Sequence, residues 1–201
     1  PGQCRGMDVN VPGQWRPRRN YSVTSRADHI FYTIGVRQVQ NVVVSTCLNS
    51  SECKGHRVRL SPPAGEFVLP QKSDTPLAFI CTGIGMTPMI GMIESLAAQA
   101  SSPAVSIIQI AHSETSAPFS GKLSSLAKEA KSPITLHTRL TSVDGRPDAA
   151  WIADRIPENA TCYLCGPTGF MRDMIQGLSK AGIPADRLRY ETFGPDTGVT
   201  D

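Results

Sequence analysis

The sequence has no apolar run that approaches the ~20 residues a membrane-spanning helix needs. It shows no signal-peptide pattern, no internal repeat and no low-complexity segment. It also lacks a strong charge of one sign. Twenty basic residues face 17 acidic ones, for a net charge of +3. An excess this weak and scattered gives no argument for nucleic acid or an anionic membrane as partner. The four histidines, at 29, 56, 112 and 137, have no metal-ligand spacing. The six cysteines, at 4, 47, 53, 81, 162 and 165, are too sparse in 201 residues for a disulfide scaffold. The expected compartment is therefore a reducing cytoplasm. Cys162 and Cys165 form one C-x-x-C, with no second pair to complete a four-cysteine zinc site. The pair lies in a strand-like run, where residues i and i+3 point to opposite faces. Two separate thiols, and no metal site, are expected.

What is present is globular: 40% hydrophobic and 18% charged residues. A chain of 201 residues holds one large domain or two small ones. Residues 1–70 read as short strands between Gly/Pro turns: Val9–Val11, Tyr21–Thr24, Ile30–Val36, Val42–Thr46, Arg57–Leu60 and Phe67–Leu69. That pattern predicts a small β-barrel or sandwich. The polar segment Lys72–Pro76 predicts a boundary, with domains at 1–72 and 73–201. From Leu77 onward, strands at 77–81, 105–111, 134–140, 161–165 and 188–193 alternate with helices at 89–100, 120–130, 149–156 and 170–181. Alternation of this kind predicts a five-stranded, doubly wound parallel sheet, with ligands beyond the carboxyl ends of its strands.

Four motifs carry chemistry. In Cys81-Thr-Gly83-Ile-Gly85-Met-Thr87-Pro88, a strand ends and a helix begins. Gly83 and Gly85 permit φ > 0 and close backbone approach, Thr87 suits an N-cap, and Pro88 suits the first helical position. Free N–H groups there would face an anion such as a pyrophosphate; the bland reading is a turn without ligand. In Tyr163-Leu-Cys165-Gly166-Pro167-Thr-Gly169-Phe170, Cys165 stands at a strand's carboxyl end, and again a plain turn is the alternative. Arg19-Asn20-Tyr21-Ser22 combines a phosphate-gripping cation, a flat ring and a hydroxyl, or is an ordinary surface strand. Tyr190-Glu191-Thr192-Phe193-Gly194-Pro195 puts an acid and an aromatic at the end of the last strand, or supplies only core.

In this order, with Pro1-Gly2-Gln3 before them and Pro63-Ala-Gly-Glu-Phe67 between, the motifs resemble the ferredoxin–NADP⁺ reductase superfamily. They are most similar to the reductase half of flavohaemoglobins. The resemblance implies an incomplete FAD-type β-barrel followed by an NAD(P)-binding α/β domain. It implies hydride transfer from NADPH or NADH to FAD, then electrons passed to a haem or iron–sulfur partner. Arg19 would contact the FAD phosphate, Tyr21 would cover the isoalloxazine, and Ser22 would approach its N5. Gly83, Gly85, Thr87 and Pro88 would hold the nicotinamide dinucleotide's pyrophosphate, and Cys165, Gly166 and Pro167 would line the nicotinamide pocket. Phe193 would pack near the flavin, with Glu191 close to the reacting atoms. Ser113, with Lys122, suits a ribose 2′-phosphate, whereas Glu114 suits a free hydroxyl; the balance favours NADPH.

Two departures keep other readings open. Asn41, Val42 and Val43 stand where the resemblance implies a glycine pair at the FAD pyrophosphate, although Ser45 is retained. The strands that precede the P-G-Q segment in the family are absent, and the chain begins at Pro1 rather than Met. A removed or preceding segment, a second chain, or a homo-oligomer would then cover an open barrel edge. A flavin-free homologue, acting as a scaffold or using Cys165 and Glu191 for non-redox catalysis on an organic substrate, is the alternative.

Overall fold

The computed structural model describes residues 2–9, 18–26, 28, 30–70 and 74–192. In chain order the elements are β1 (Cys4–Asp8), β2 (Arg18–Ser22), α1 (Val43–Leu48), β3 (Arg59–Leu60), β4 (Leu77–Thr82), α2 (Thr87–Ala97), β5 (Val105–Ala111), α3 (Ser120–Glu129), β6 (Ile134–Leu140), α4 (Thr141–Asp144), α5 (Ala149–Ala153), β7 (Thr161–Gly166), α6 (Thr168–Lys180) and β8 (Leu188–Thr192).

The α/β half matches its sequence pattern. Strands β6-β5-β4-β7-β8 form one five-stranded sheet, parallel throughout. β4 and β5 are apolar runs because helices cover both of their faces. Alternate residues feed two cores. Phe79 and Cys81 pack with Met89, Ile90, Ile93 and Leu123 on the α2/α3 side. Ala78 and Ile80 pack with Ile152, Met171 and Leu178 on the α5/α6 side. Helix α6 reaches its core through Met171, Met174 and Leu178, the i, i+3, i+7 stripe of an amphipathic helix. Each large aliphatic or aromatic side chain so buried contributes roughly 2–3 kcal/mol by transfer from water. Cys162 belongs to the second core and Cys165 to the first, so the C-x-x-C does hold two separate thiols.

The β half departs from expectation in three places. Val42–Thr46, read as a strand, is the start of helix α1. Asn41 takes a left-handed φ of 60° and ends the extended run. Val44 and Cys47, three residues apart, then bury one face while Val43 stays exposed. Tertiary burial overrides valine's strand preference here. Ile30–Val36 forms a single bridge, Val23 to Ile34, and leaves Ile30, Phe31 and Tyr32 exposed. Of the expected strand Val9–Val11, only Val9 is among the described residues; it follows the end of β1 at Asp8 and is buried, and the rest lies outside them. Phe67–Leu69 forms no strand; Phe67 instead enters the α2/α3 core, its ring edge-on to Tyr163 at 5.2 Å. Among the described residues the β half is a three-stranded antiparallel sheet, β2-β1-β3, over a small core of Met7, Val9, Val44 and Cys47. The expected boundary at 72/73 lies outside the described residues.

The two halves are tied together. Tyr163 Oη donates to the Val68 carbonyl at 2.9 Å. The α-carbon of Gly91 on α2 faces the Ser25 carbonyl so closely that a Cβ would stand 3.0 Å from it. The second contact places the segment that follows β2 against the amino-terminal half of α2.

Candidate active site

The site lies at the carboxyl edge of β4, β7 and β8, where the β half closes over the sheet. β4 runs into a single 3₁₀ turn, Gly83–Met86, and then α2. Gly83 has φ +52°, and nothing stands within 4 Å of where its Cβ would be. It is the left-handed hinge of the turn and faces open space. Gly85 is not left-handed; its glycine is required by contact. A Cβ there would overlap the Cys165 carbonyl, standing 2.7 Å from its carbon. The two predicted motifs therefore meet, with the glycine turn lying against the end of β7.

Thr87 corrects an expectation. It is the first helical residue rather than the N-cap, and its Oγ1 donates to the Ile84 carbonyl at 2.9 Å. It is buried beneath the β half, where a Cβ on Gly35 would meet its methyl at 2.5 Å. Pro88 sits in the first turn as expected.

On the β7 side, Cys165 and Gly166 are buried and Pro167 is exposed. Burial, reinforced by the charge of Glu191 and by Cys81, holds the Cys165 thiol far above its ordinary range. The Cys165 thiol is therefore protonated at physiological pH rather than a thiolate nucleophile. A Cβ on Gly166 would meet Thr82 at 2.7 Å and the Phe170 ring at 2.8 Å, so only glycine fits. Glu191 on β8 is the register partner of Cys165. Burial pushes its carboxyl up to about 7, and its Oε2 is buried without a hydrogen-bond partner.

Ser22 ends β2 and is the register partner of Cys4. Its side chain is buried, and its Oγ likewise has no partner. The Cys4 thiol is pushed up by burial and then by the charge of Glu191, which brings the β1/β2 edge beside the end of β8. Two orphaned buried polar atoms, one from each half, thus belong to one seam. Buried groups of this kind are rare in folded proteins, since each forfeits a hydrogen bond to water. A ligand with polar ring edges fits them, and the open left-handed turn at Gly83 fits a phosphate. Tyr21 and Arg19 share the other face of β2, Tyr21 packing against the small core and Arg19 remaining exposed.

Ser45 and Ser113 are otherwise engaged. Ser45 is buried; its Oγ accepts the Val39 N–H at 3.1 Å and lies 3.0 Å from the Val42 carbonyl, closing its own loop. Ser113 bonds within the 113–116 turn, and Lys122 pairs with Glu94 at 2.9 Å rather than turning toward Ser113. Phe193 lies outside the described residues. Among the described residues no cluster of His, Cys, Asp and Glu could hold a metal ion. Sequence reasoning missed Cys4, Gly35 and Gly91. No motif flags them, because each matters only through a segment distant in sequence.

Comparison with known proteins agrees with this geometry. The family model of the oxidoreductase NAD-binding domain matches residues 79–176. A flavohemoprotein of Deinococcus radiodurans is 32% identical over 97% of this chain and 51% of its own length. The flavohemoglobin of Malassezia yamatoensis, solved with FAD and heme, superposes with a TM-score of 0.84 at 30% identity, over 96% of this chain and 51% of its own. The flavohem-like FAD/NAD-binding domain of nitric oxide dioxygenase from Vibrio cholerae gives 0.83 at 29%, over 96% and 85%. The chain spans about half the length of the curated relatives it matches. With the five-stranded parallel sheet and the two motifs in contact, these likenesses make residues 79–176 an oxidoreductase NAD-binding domain and the chain as a whole similar to the reductase part of flavohaemoglobins.

Proposed function

We propose that the chain is the reductase part of an NAD(P)H-dependent flavin oxidoreductase that delivers electrons to a haem or iron–sulfur acceptor. The observation that carries this reading is the pair of orphaned polar atoms, Ser22 Oγ and Glu191 Oε2, buried at the seam between the halves. NAD(P)H supplies the hydride, and FAD divides the electron pair for a one-electron acceptor. The chain itself binds, orients and manages protons. The 83–86 turn, with Thr87 and Pro88 behind it, would seat the dinucleotide's pyrophosphate. Cys165, Gly166 and Pro167 would wall the nicotinamide pocket, the thiol contributing shape and no charge. Arg19 would meet a flavin phosphate, and Tyr21 would lie on the ring system. Ser22 would donate its hydroxyl hydrogen to a flavin ring nitrogen. Glu191, raised to about 7, would hold a proton at its carboxyl near neutral pH and release it into the crevice. NADPH is the proposed donor, through Ser113, with NADH served by Glu114. A haem-bearing partner, or a segment or second chain lying along the β2 or β3 edge, is the proposed neighbour. The proposed compartment is the cytoplasm; among the described residues no helix is long and apolar enough to cross a membrane.

The visible spectrum of the purified protein tests this. A yellow protein with bound FAD, or one that takes FAD up and then oxidises NADPH with an artificial acceptor, supports it. A colourless protein that takes up none overturns it. One observation favours the flavin-free alternative: Ser45 spends its hydroxyl on its own loop, beside the exposed Val39 and Val43. Non-redox catalysis through Cys165 has the opposite standing, since its thiol is neutral and buried.

A further inference from the structure

Cys47 and Cys53 are joined by a disulfide, six residues apart in sequence, with their α-carbons 5.6 Å apart. The other four cysteines are free, and three of them are buried. Cys47 sits in the last turn of α1 and is itself buried. Cys53 is part-exposed, in the polar turn that follows. The bridge therefore has one sulfur that a reductant can reach and one that anchors a helix.

Apart from its packed face and the side-chain bonds of Ser45, Thr46 and Asn49 to nearby backbone, that helix has little intrinsic stability. It is only six residues long, no side chain caps its amino end, and it carries no acid in its first turn or base in its last. Isolated helices of this length do not persist in water. Its buried face, Val44 and Cys47, makes up half of the β half's small core, against Met7 and Val9. Tyr21 packs on the same cluster. Ser45 in its middle turn holds the 39–42 loop. The segment implied for the flavin's pyrophosphate, and the ring implied to cover the flavin, both rest on this cluster.

We propose that the Cys47–Cys53 bridge is a thiol-responsive latch on helix α1. Closed, it holds the flavin side of the site; opened by a dithiol reductant, it lets the helix fray and weakens flavin binding. The flavin part rests on the reading above. The step is balanced. A reductant thiolate attacks Sγ of Cys53, the S–S bond breaks, and Cys47 leaves as a thiolate that takes up a proton. The reductant's second thiol then displaces Cys53, so two protein thiols form and the dithiol becomes a disulfide. Disulfides in reducing compartments are characteristically of this transient, sensing kind.

The test uses the whole chain, bridged and after dithiothreitol, with Cys53→Ser as a permanently open form. Thiol mapping first establishes the bridge in the untreated protein; finding Cys47 and Cys53 both free after mild oxidation overturns the proposal. Hydrogen exchange then follows the amides of Thr46, Asn49 and Ser50, which bond back to Val42, Ser45 and Cys47. The expected result is exchange faster by about tenfold or more on reduction, and equally fast in Cys53→Ser with or without reductant. The FAD dissociation constant should rise by a similar factor. Unchanged exchange overturns the latch, and faster exchange with unchanged FAD affinity overturns its control of the site. Faster exchange in a protein that binds no FAD in either state leaves the latch standing and removes the flavin reading instead.

Discussion

Replacing Gly85 and Gly83 separately by alanine should have opposite consequences, although they are two residues apart in one motif. At Gly85 the added Cβ would overlap the Cys165 carbonyl, 2.7 Å from its carbon and with the Gly166 nitrogen at 3.2 Å. These are backbone atoms at the end of a buried strand whose register with β4 is fixed from Leu77↔Thr161 to Cys81↔Cys165. No side chain can swing aside. Relief requires the strand end or the turn to move by about an ångström, against a packed core. Overpacking of this kind costs about 1–3 kcal/mol. A weakened ladder bond adds about 1 kcal/mol. The expected loss is therefore about 3 kcal/mol, or roughly 6–12 °C in Tm for a chain of this size. At Gly83 the Cβ meets nothing within 4 Å, and the only cost is the left-handed φ of +52°. That strain amounts to about 1–2 kcal/mol. Urea unfolding at constant m separates the two. Pyridine-nucleotide affinity should rank them the other way per unit of stability lost. The Gly83→Ala methyl projects into the open face proposed for the pyrophosphate, so binding weakens while the fold survives. A Gly85→Ala protein as stable as Gly83→Ala would refute the contact between the two motifs.

Glu191 gives a pH signature. Its carboxyl is raised to about 7 in the fold from an ordinary 4.5. The folded state thus binds the extra proton, so the contribution of this group to stability is full below pH 4.5 and is lost as pH rises to about 7. Allowing for solvent at this part-exposed group, the loss is about 1–2 kcal/mol; Glu191→Gln should abolish it, and an unchanged pH slope in unfolding would refute the assignment. Ser22→Ala removes a buried hydroxyl that has no partner, so stability should stay level or rise by up to about 1 kcal/mol. Flavin reduction by NADPH should slow at least about tenfold, read by stopped-flow absorbance; a destabilised variant with unchanged reduction would reverse the reading. Tyr163→Phe deletes the bond to the Val68 carbonyl and should cost about 1 kcal/mol in denaturant unfolding, whereas no cost would mean that water already serves that carbonyl.

The α/β half was legible because its signals are local. Apolar runs such as Leu77–Thr82, an amphipathic stripe such as Met171–Leu178, and a Gly-x-Gly turn each state their structure within a dozen residues. The separation of Cys162 from Cys165 followed from strand period alone. The order of the motifs was enough to point to the reductase part of flavohaemoglobins, to which the chain is similar. The β half resisted because its signals compete. Val42–Thr46 has strand propensity, yet a left-handed Asn41 and the burial of Val44 beside Met7 and Val9 make it helical. The Cys47–Cys53 bridge went unread because spacing in a sequence says nothing about whether a turn brings two sulfurs together. The same limit holds at the site. The sequence by itself determined which residues could meet a dinucleotide and a flavin. Only the tertiary structure decided that Gly85 must be glycine for contact rather than for φ, that Ser45 is spent on its own loop, and that Ser22 Oγ and Glu191 Oε2 are both buried without hydrogen-bond partners. The Gly85 contact comes from a distant strand, the Ser45 bonds depend on how its own loop closes, and burial, which raises the Glu191 carboxyl to about 7, exists only in the folded chain.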